Sequence, residues 1–215
     1  MKTELEIREE MCSIGQRLYR QNYIVGTDGN MSVRLPGNIL LFTPSGVCKG
    51  YLLPEQILKT DIEGRTIAGQ GRPSSEIQMH LMVYRHRPDI RAIVHAHPPF
   101  AVSLTIVKED MEKVLIPEVV VHLGSIAVAP YQTPGTIALA ESLCPFLEKS
   151  DAILLERHGI VTLAETLTQA YYKLECAEYA AKIACLVKQM GGANPISPSE
   201  IEILQKIRQK NKRNE

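Results

Sequence analysis

Apolar positions near the start of the chain recur at helical spacing. Leu5, Met11, Ile14, Leu18 and Tyr19 stand among charges within residues 4–21, forming one apolar face at about 3.6 residues per turn. This helix stops before Gly26, and Gly26-Thr27-Asp28-Gly29-Asn30 reads as a polar, glycine-rich turn. Two apolar runs follow, MSVRL and NILLFTP, predicting a hairpin around Pro36-Gly37. Thr43-Pro44-Ser45-Gly46 makes another turn, Pro54 begins a short helix, and Ile57 to Ile67 predicts a second hairpin around Glu63-Gly64.

After Gly69-Gln70-Gly71-Arg72-Pro73, Ser74 or Ser75 caps a helix running to about Arg87, with Glu76 in its first turn and Pro88 ending it. A strand over Arg91–His97, a helix opened by Pro98-Pro99, and strand-like runs at Val119–His122 and Ile126–Pro130 come next. Thr133-Pro134-Gly135-Thr136 leads into a helix to about Lys149. Ala152–Leu155 and Ile160–Leu163 read as strands. The longest helix is expected over Leu167–Met190, ending at Gly191-Gly192. Ser197-Pro198-Ser199-Glu200 has the serine, proline and glutamate of a capping box opening a final helix, whose tail KIRQKNKRNE is expected to fray. Alternating strands and helices without repeat or linker predict one mixed α/β domain, with helices on both faces of a sheet.

The 215 residues suffice for one full core. With 24 basic and 24 acidic residues there is no charge excess to favour nucleic acid or an anionic membrane, so a small-molecule partner is expected. No run approaches the roughly 20 apolar residues that span a bilayer, and MKTELEIREEM is charged where a signal peptide is apolar. A cytoplasmic protein is expected. Five scattered cysteines without CxxC spacing suggest neither a disulfide framework nor a thiolate metal site.

The pattern that carries chemistry is Val94-His95-Ala96-His97. Histidines at i and i+2 of a strand point to one side, because side chains alternate across it. His158, at another strand end, and Glu76 would add a third imidazole and a carboxylate, a donor set suited to a catalytic divalent ion. Neutral imidazoles suit Zn²⁺ and also Mn²⁺, Fe²⁺ or Co²⁺. The plain alternative for the histidines is satisfaction by backbone and solvent, and for Glu76 complementing a helix dipole. His80, one turn after Glu76, is a competing ligand or a core residue. His86 is expected to be exposed, and His122 is ambiguous. Ser74 and Ser75 at a helix start, with the small turns at Gly29-Asn30 and Ser45-Gly46, could form an anion pocket.

In this order, Gly26-Thr27-Asp28-Gly29-Asn30-Met31-Ser32, Thr43-Pro44-Ser45-Gly46, Pro73-Ser74-Ser75-Glu76, His95-Ala96-His97, Ala129-Pro130-Tyr131 and His158-Gly159 resemble the class II aldolase/adducin family, in particular its L-fuculose-1-phosphate aldolase branch. The resemblance covers nearly the whole chain. It implies a single domain over 1–215, with a mixed or antiparallel sheet flanked by helices. It also implies a divalent metal, commonly zinc, held by His95, His97 and His158, with Glu76 catalytic and able to take the fourth metal position. Gly29, Asn30, Ser45, Gly46, Ser74 and Ser75 would hold a substrate phosphate.

The implied reaction is cleavage of a ketose 1-phosphate to dihydroxyacetone phosphate and an aldehyde through an enediolate, with Glu76 moving the proton, in a cytoplasmic homotetramer with sites between subunits. Glu76 favours the aldolase over the related 4-epimerases, which carry Asp there. Pro117–His122 lacks the tyrosine that serves as proton donor in fuculose aldolases, and no tyrosine follows Tyr179. The aldehyde is therefore open, 5-deoxyribulose and methylthioribulose phosphates included, and Tyr131 and His122 are candidate acids. The competing readings are a dehydratase, decarboxylase or epimerase on the same metal site, and a metal-free adducin-like interaction module. Retention of the three histidines and Glu76 argues against the last.

Overall fold

A computed structural model describes residues 2–109, 114–192 and 194–214 of the chain. Helix α1 (Glu4–Arg20) opens with a capping box: the Glu6 N–H donates to the Thr3 hydroxyl and the Thr3 N–H to the Glu6 carboxylate. Met11, Ile14 and Leu18 are buried as the spacing predicts, whereas Leu5, in the overhanging first turn, is 59% exposed. Strands β1 (Asn30–Leu35) and β2 (Ile39–Phe42) form the expected hairpin, and β3 (Leu58–Thr60) and β4 (Thr66–Ala68) the second. Helix α2 (Ile77–His86), β5 (Ala92–Ala96) and α3 (Pro99–Ile106) follow. After them come β6 (Ala127–Ala129), α4 (Ile137–Ser142), β7 (Ala152–Leu155), β8 (Gly159–Ala164), α5 (Leu167–Gln189) and α6 (Pro198–Asn214).

All eight strands join one mixed sheet in the order β4-β3-β2-β1-β5-β8-β7-β6, antiparallel except for the β6–β7 pair. The central strands are apolar throughout because both faces are covered. Ala92, Val94, Ala152, Leu154 and Ile160 join the core beneath α1, α3 and α5, while Ile93, Ile153, Leu155, Val161 and Leu163 join the core beneath α2 and α4. His95 shares its strand parity with Ile93, on the α2 side of the sheet. Among the described residues no helix is long and apolar enough to cross a membrane. The five cysteines are free and half-buried.

Four expectations are corrected. Val119–Leu123 is a π-helical turn, not a strand: Val119, Val120 and Leu123 are buried at helical spacing, and Gly124, at φ 82°, closes the turn by donating to the Val119 and Val120 carbonyls. A short apolar run does not by itself distinguish these two states. The helix expected from Thr136 to Lys149 breaks after Ser142 into a 3₁₀ turn at Cys144–Phe146, because Pro145 lacks an N–H to continue it. Helix α2 begins at Ile77, so Glu76 is its N-cap residue rather than part of its first turn. The C-terminal segment, expected to fray from Lys206, is helical to Asn214 in α6, and Arg208 lies 3.3 Å from Asp151.

Candidate metal and substrate site

Glu76, His95, His97 and His158 converge, with one ligand atom from each lying within 4.8 Å of the others. Three chain crossings produce this. His95 projects from β5, His97 lies just past the strand end where its N–H donates to the Tyr23 carbonyl, and His158 sits in the turn between the antiparallel β7 and β8. The imidazole ring centres are 4.8–5.0 Å apart. Gly159 permits this spacing: a Cβ there would lie 2.5 Å from the Ala96 carbonyl oxygen, 2.7 Å from the His97 ring and 3.0 Å from the His95 ring.

The donor atoms fit a cation. His95 Nδ1 lies 2.9 Å from the Ile160 carbonyl oxygen, which can only accept, so this nitrogen carries the proton and Nε2 offers its lone pair to the cluster. His95 Nε2 is 3.0 Å from His97 Nε2 and 3.1 Å from Glu76 Oε2, and His158 Nε2 is 3.2 Å from Glu76 Oε1. That Oε1 is buried and accepts no directed hydrogen bond from the protein. Electron-pair donors held this close with a carboxylate suit a shared divalent ion.

The electrostatics separate the rings: burial would lower His95, but Glu76 outweighs it and raises that ring, whereas His97 and His158 are lowered. Burial pushes the Glu76 carboxyl up, but His95, His158 and the Asn30 amide outweigh it and hold the group well below the carboxylate range. Burial, followed by the neighbouring His95, lowers His97 to about 3 and His158 to about 4, so both imidazoles stay neutral and available as ligands.

The polar turns gather beside this cluster. An isolated bridge between Pro44 and Pro73 lays the Ser45-Gly46 turn against Ser74-Ser75, and Asn30 Nδ2 reaches the Ser74 hydroxyl at 3.1 Å. The Ser45 N–H is spent on the Arg72 carbonyl and the Ser74 N–H on that of Thr43, so these two amides are not the anion donors the turn motifs suggested. The Ser74 hydroxyl accepts from Asn30 and from the Glu76 N–H, leaving its own hydrogen to give. Gly46, at φ 73°, has open space where a Cβ would stand, and Ser45 and Ser75 are exposed. Gly29 is structural: a Cβ would meet Ile24 at 2.5 Å and the His95 carbonyl oxygen at 2.9 Å. The Asn30 side chain faces Glu76 rather than open space.

His80 is fully buried and bonded to Asn30 and Ser32, outside the cluster, while His86 is exposed. His122 lines a separate 960 Å³ cleft with Arg87, Lys173 and Arg208. Two neighbours carried no sequence signal. Asp28 Oδ2 lies 3.8 Å from His97 Nδ1, and Lys49, buried, donates its ammonium to the Thr27 carbonyl of the glycine-rich turn. Asp28 stood in a motif that read only as a turn, and a lysine between Cys48 and Gly50 gives no hint of burial.

Residues 9–185 match the class II aldolase and adducin N-terminal domain. An L-fuculose phosphate aldolase of Methanococcus vannielii is 37% identical over 179 residues, covering 83% of this chain and 96% of its own length. A 3-oxo-tetronate 4-phosphate decarboxylase of Escherichia coli is 33% identical over 186 residues, 85% of this chain and 87% of the relative. The crystal structure of YgbL from Escherichia coli, provisionally described as an aldolase/epimerase/decarboxylase, superposes with a TM-score of 0.89 at 31% identity, covering 95% of this chain and all of that one. Class II aldolases are metal-dependent, and the Glu76–histidine group can bind a metal. The chain belongs to the class II aldolase and adducin family, on its L-fuculose-phosphate-aldolase-like branch.

Proposed function

We propose that this protein is a metal-dependent aldolase that cleaves a ketose 1-phosphate to dihydroxyacetone phosphate and an aldehyde. The observation that carries the reading is the Glu76 carboxylate, held at 2.8 Å by the Asn30 amide and 3.1–3.2 Å from two of three convergent histidines. His95, His97 and His158 would hold the ion, with Glu76 able to take a fourth position. Zinc is the expected metal, with Mn²⁺, Co²⁺ or Fe²⁺ as alternatives. Bound there, a divalent cation supplies Lewis-acid stabilisation of negative charge developing on substrate oxygens.

The chain's own residues do the rest. The turns at Ser45-Gly46 and Ser74-Ser75 seat the phosphate, with the free Ser74 hydroxyl hydrogen as one donor, while Gly29-Asn30 shapes the adjoining turn and positions Glu76. Loss of the C4 hydroxyl proton and breaking of the C3–C4 bond release the aldehyde and leave an enediolate of dihydroxyacetone phosphate; Glu76, ionised at rest, takes up a proton and passes it to C3, or removes it from C3 in the condensation direction. The reading includes a cytoplasmic homotetramer with sites between subunits.

A second reading is supported by a specific observation: the decarboxylase relatives are nearly as similar as the aldolases. Decarboxylation of a 3-oxo acid phosphate also passes through an enediolate-type anion that an acid must protonate, so the same Glu76 and donor set serve both reactions. The experiment is to incubate the metal-loaded protein with fuculose, rhamnulose, ribulose, 5-deoxyribulose and methylthioribulose 1-phosphates, and in parallel with 3-oxo-tetronate 4-phosphate. Dihydroxyacetone phosphate and carbon dioxide are then measured. Chelator-sensitive dihydroxyacetone phosphate from a ketose 1-phosphate, without carbon dioxide, is the expected result. Dihydroxyacetone phosphate formed only from 3-oxo-tetronate 4-phosphate, with an equal amount of carbon dioxide, would replace the aldolase by the decarboxylase, and turnover without metal would remove the metal from both.

A further inference from the structure

Behind Glu76 runs a buried series of polar side chains that the proposed reaction does not itself use: Asn30, His80, Ser32 and Tyr84. Asn30 is 2% exposed, and His80 and Ser32 are fully buried between β1 and α2. From Glu76 to Ser32 the hydrogens follow from what each partner can accept. The atom 2.8 Å from Glu76 Oε2 must be the Asn30 amide nitrogen, since a carboxylate oxygen only accepts, and the same nitrogen donates to Ser74. The Asn30 carbonyl oxygen then faces His80 Nε2 at 2.6 Å, so that nitrogen carries the hydrogen. Burial lowers His80 to about 3, so the ring is neutral and has only one hydrogen to give. Its bare Nδ1 therefore accepts from the Ser32 hydroxyl at 2.7 Å, and the Tyr84 hydroxyl, 2.8 Å from Ser32 and 3.4 Å from the Arg91 carbonyl, gives its hydrogen to Ser32, the shorter contact. The far end is anchored: the Arg34 guanidinium stacks 4.6 Å over the Tyr84 ring and donates to the Tyr84 carbonyl, while Phe42 closes edge-on against His80 at 4.8 Å.

We propose that Tyr84, Ser32, His80 and Asn30 form a one-way donor chain whose task is to fix the Asn30 amide with its nitrogen toward Glu76, making Asn30 and His80 positioning residues for that carboxylate. The alternative amide orientation would set two oxygens against each other at hydrogen-bond distance, displacing Glu76 from the cluster. The Nε2–H tautomer of His80 holds the amide against it from the other side, because a flipped amide would bring its NH2 against that N–H. The inference rests on the reading of Glu76 as proton carrier, but the geometry of the chain does not.

The test uses zinc-loaded full-length protein and two variants. His80→Leu removes the donor to Asn30. His80→Gln keeps a donor close to the Nε2 position. Nitrogen-15 spectra of histidine-labelled protein report the tautomer directly, and chelator competition reports zinc affinity. Deuterium incorporation into dihydroxyacetone phosphate in heavy water reports proton transfer without any aldehyde.

We expect His80 protonated at Nε2, deuterium exchange and zinc affinity lowered about 10- to 100-fold in His80→Leu, and most of both restored in His80→Gln. An Nδ1-protonated His80, or a folded His80→Leu with wild-type exchange and affinity, would overturn the chain. Equal losses in both variants would overturn its specificity for a donor at that point. If the wild type exchanges no deuterium, the aldolase reading falls, and the tautomer and the zinc affinities of the two variants still decide the proposal.

Discussion

Glu76 stands where burial opposes its charge and two imidazoles and an amide favour it, and the second influence wins. A side chain held this way is expected to act by moving a proton rather than by supporting the fold. Glu76→Gln, nearly isosteric, should leave the thermal midpoint within a few degrees of wild type while lowering turnover about 10²- to 10⁴-fold. Near-normal turnover would remove its acid/base role. Gly159 acts differently, by what it lacks. In Gly159→Ala a methyl would press on the Ala96 carbonyl and on the rings of His95 and His97. We expect zinc bound about 10- to 100-fold more weakly in a chelator competition, with the sheet still formed. The His158-Gly159 pair was legible in the sequence as a turn. That the glycine is needed by histidines some sixty residues away was not, because the contact crosses from β8 to β5.

Among the elements, α3 follows directly from His97 and starts with two prolines, so its free N–H groups need an external acceptor. Glu178, on α5, supplies it, accepting from the Phe100 and Ala101 N–H groups at 3.0 and 2.8 Å. Burial raises its pKa above the ordinary 4.5, and the two N–H groups offset this only in part. The sign of the pH effect follows. A carboxyl that holds its proton more tightly when folded contributes stability fully present below the unfolded value and lost as pH rises through the folded one. In urea titrations carried upward from about pH 4.5, wild type should lose stability relative to Glu178→Gln as pH rises. A difference flat with pH, or of opposite slope, would refute the raised value. Periodicity found α5 almost to the residue but not this contact, because no local pattern tells which of a helix's carboxylates meets another helix's end.

At the scale of the whole molecule, α6 is tied down by charge. Asp151, at the start of β7 and 6% exposed, is 3.1 Å from Arg87 beyond α2, 2.9 Å from Lys173 on α5 and 3.3 Å from Arg208 on α6. Arg208 also lies against Gly124 and donates to the Val120 carbonyl at 3.5 Å, so the same side chain braces the π-helical turn. Removing the shared carboxylate takes an anionic partner from three partly buried cations, of which Arg87 keeps Asp89. Asp151→Asn should therefore cost about 3 kcal/mol in chemical denaturation and speed hydrogen exchange across 119–124. Unchanged exchange there would mean that the turn stands without α6.

What the sequence by itself determined is whatever depends on neighbours along the chain. The helical face of α1, the hairpins at Pro36-Gly37 and Glu63-Gly64, the capping box at Ser197, the apolar strands of a two-faced sheet and the order of the family's motifs are all local in this sense. The tertiary structure decided what depends on crossings. These are the π-helical turn in place of a strand, the docking of a C-terminal segment whose composition predicts fraying, and the meeting of β5, the β7–β8 turn and the start of α2 that gathers four ligand atoms. They also include the commitment of the Asn30 amide to Glu76 instead of an anion. The physical reason is the same in each case. Propensity and periodicity act over a few residues, whereas a buried charge, a shared ligand position or a missing methyl matters only once distant strands have been brought into register.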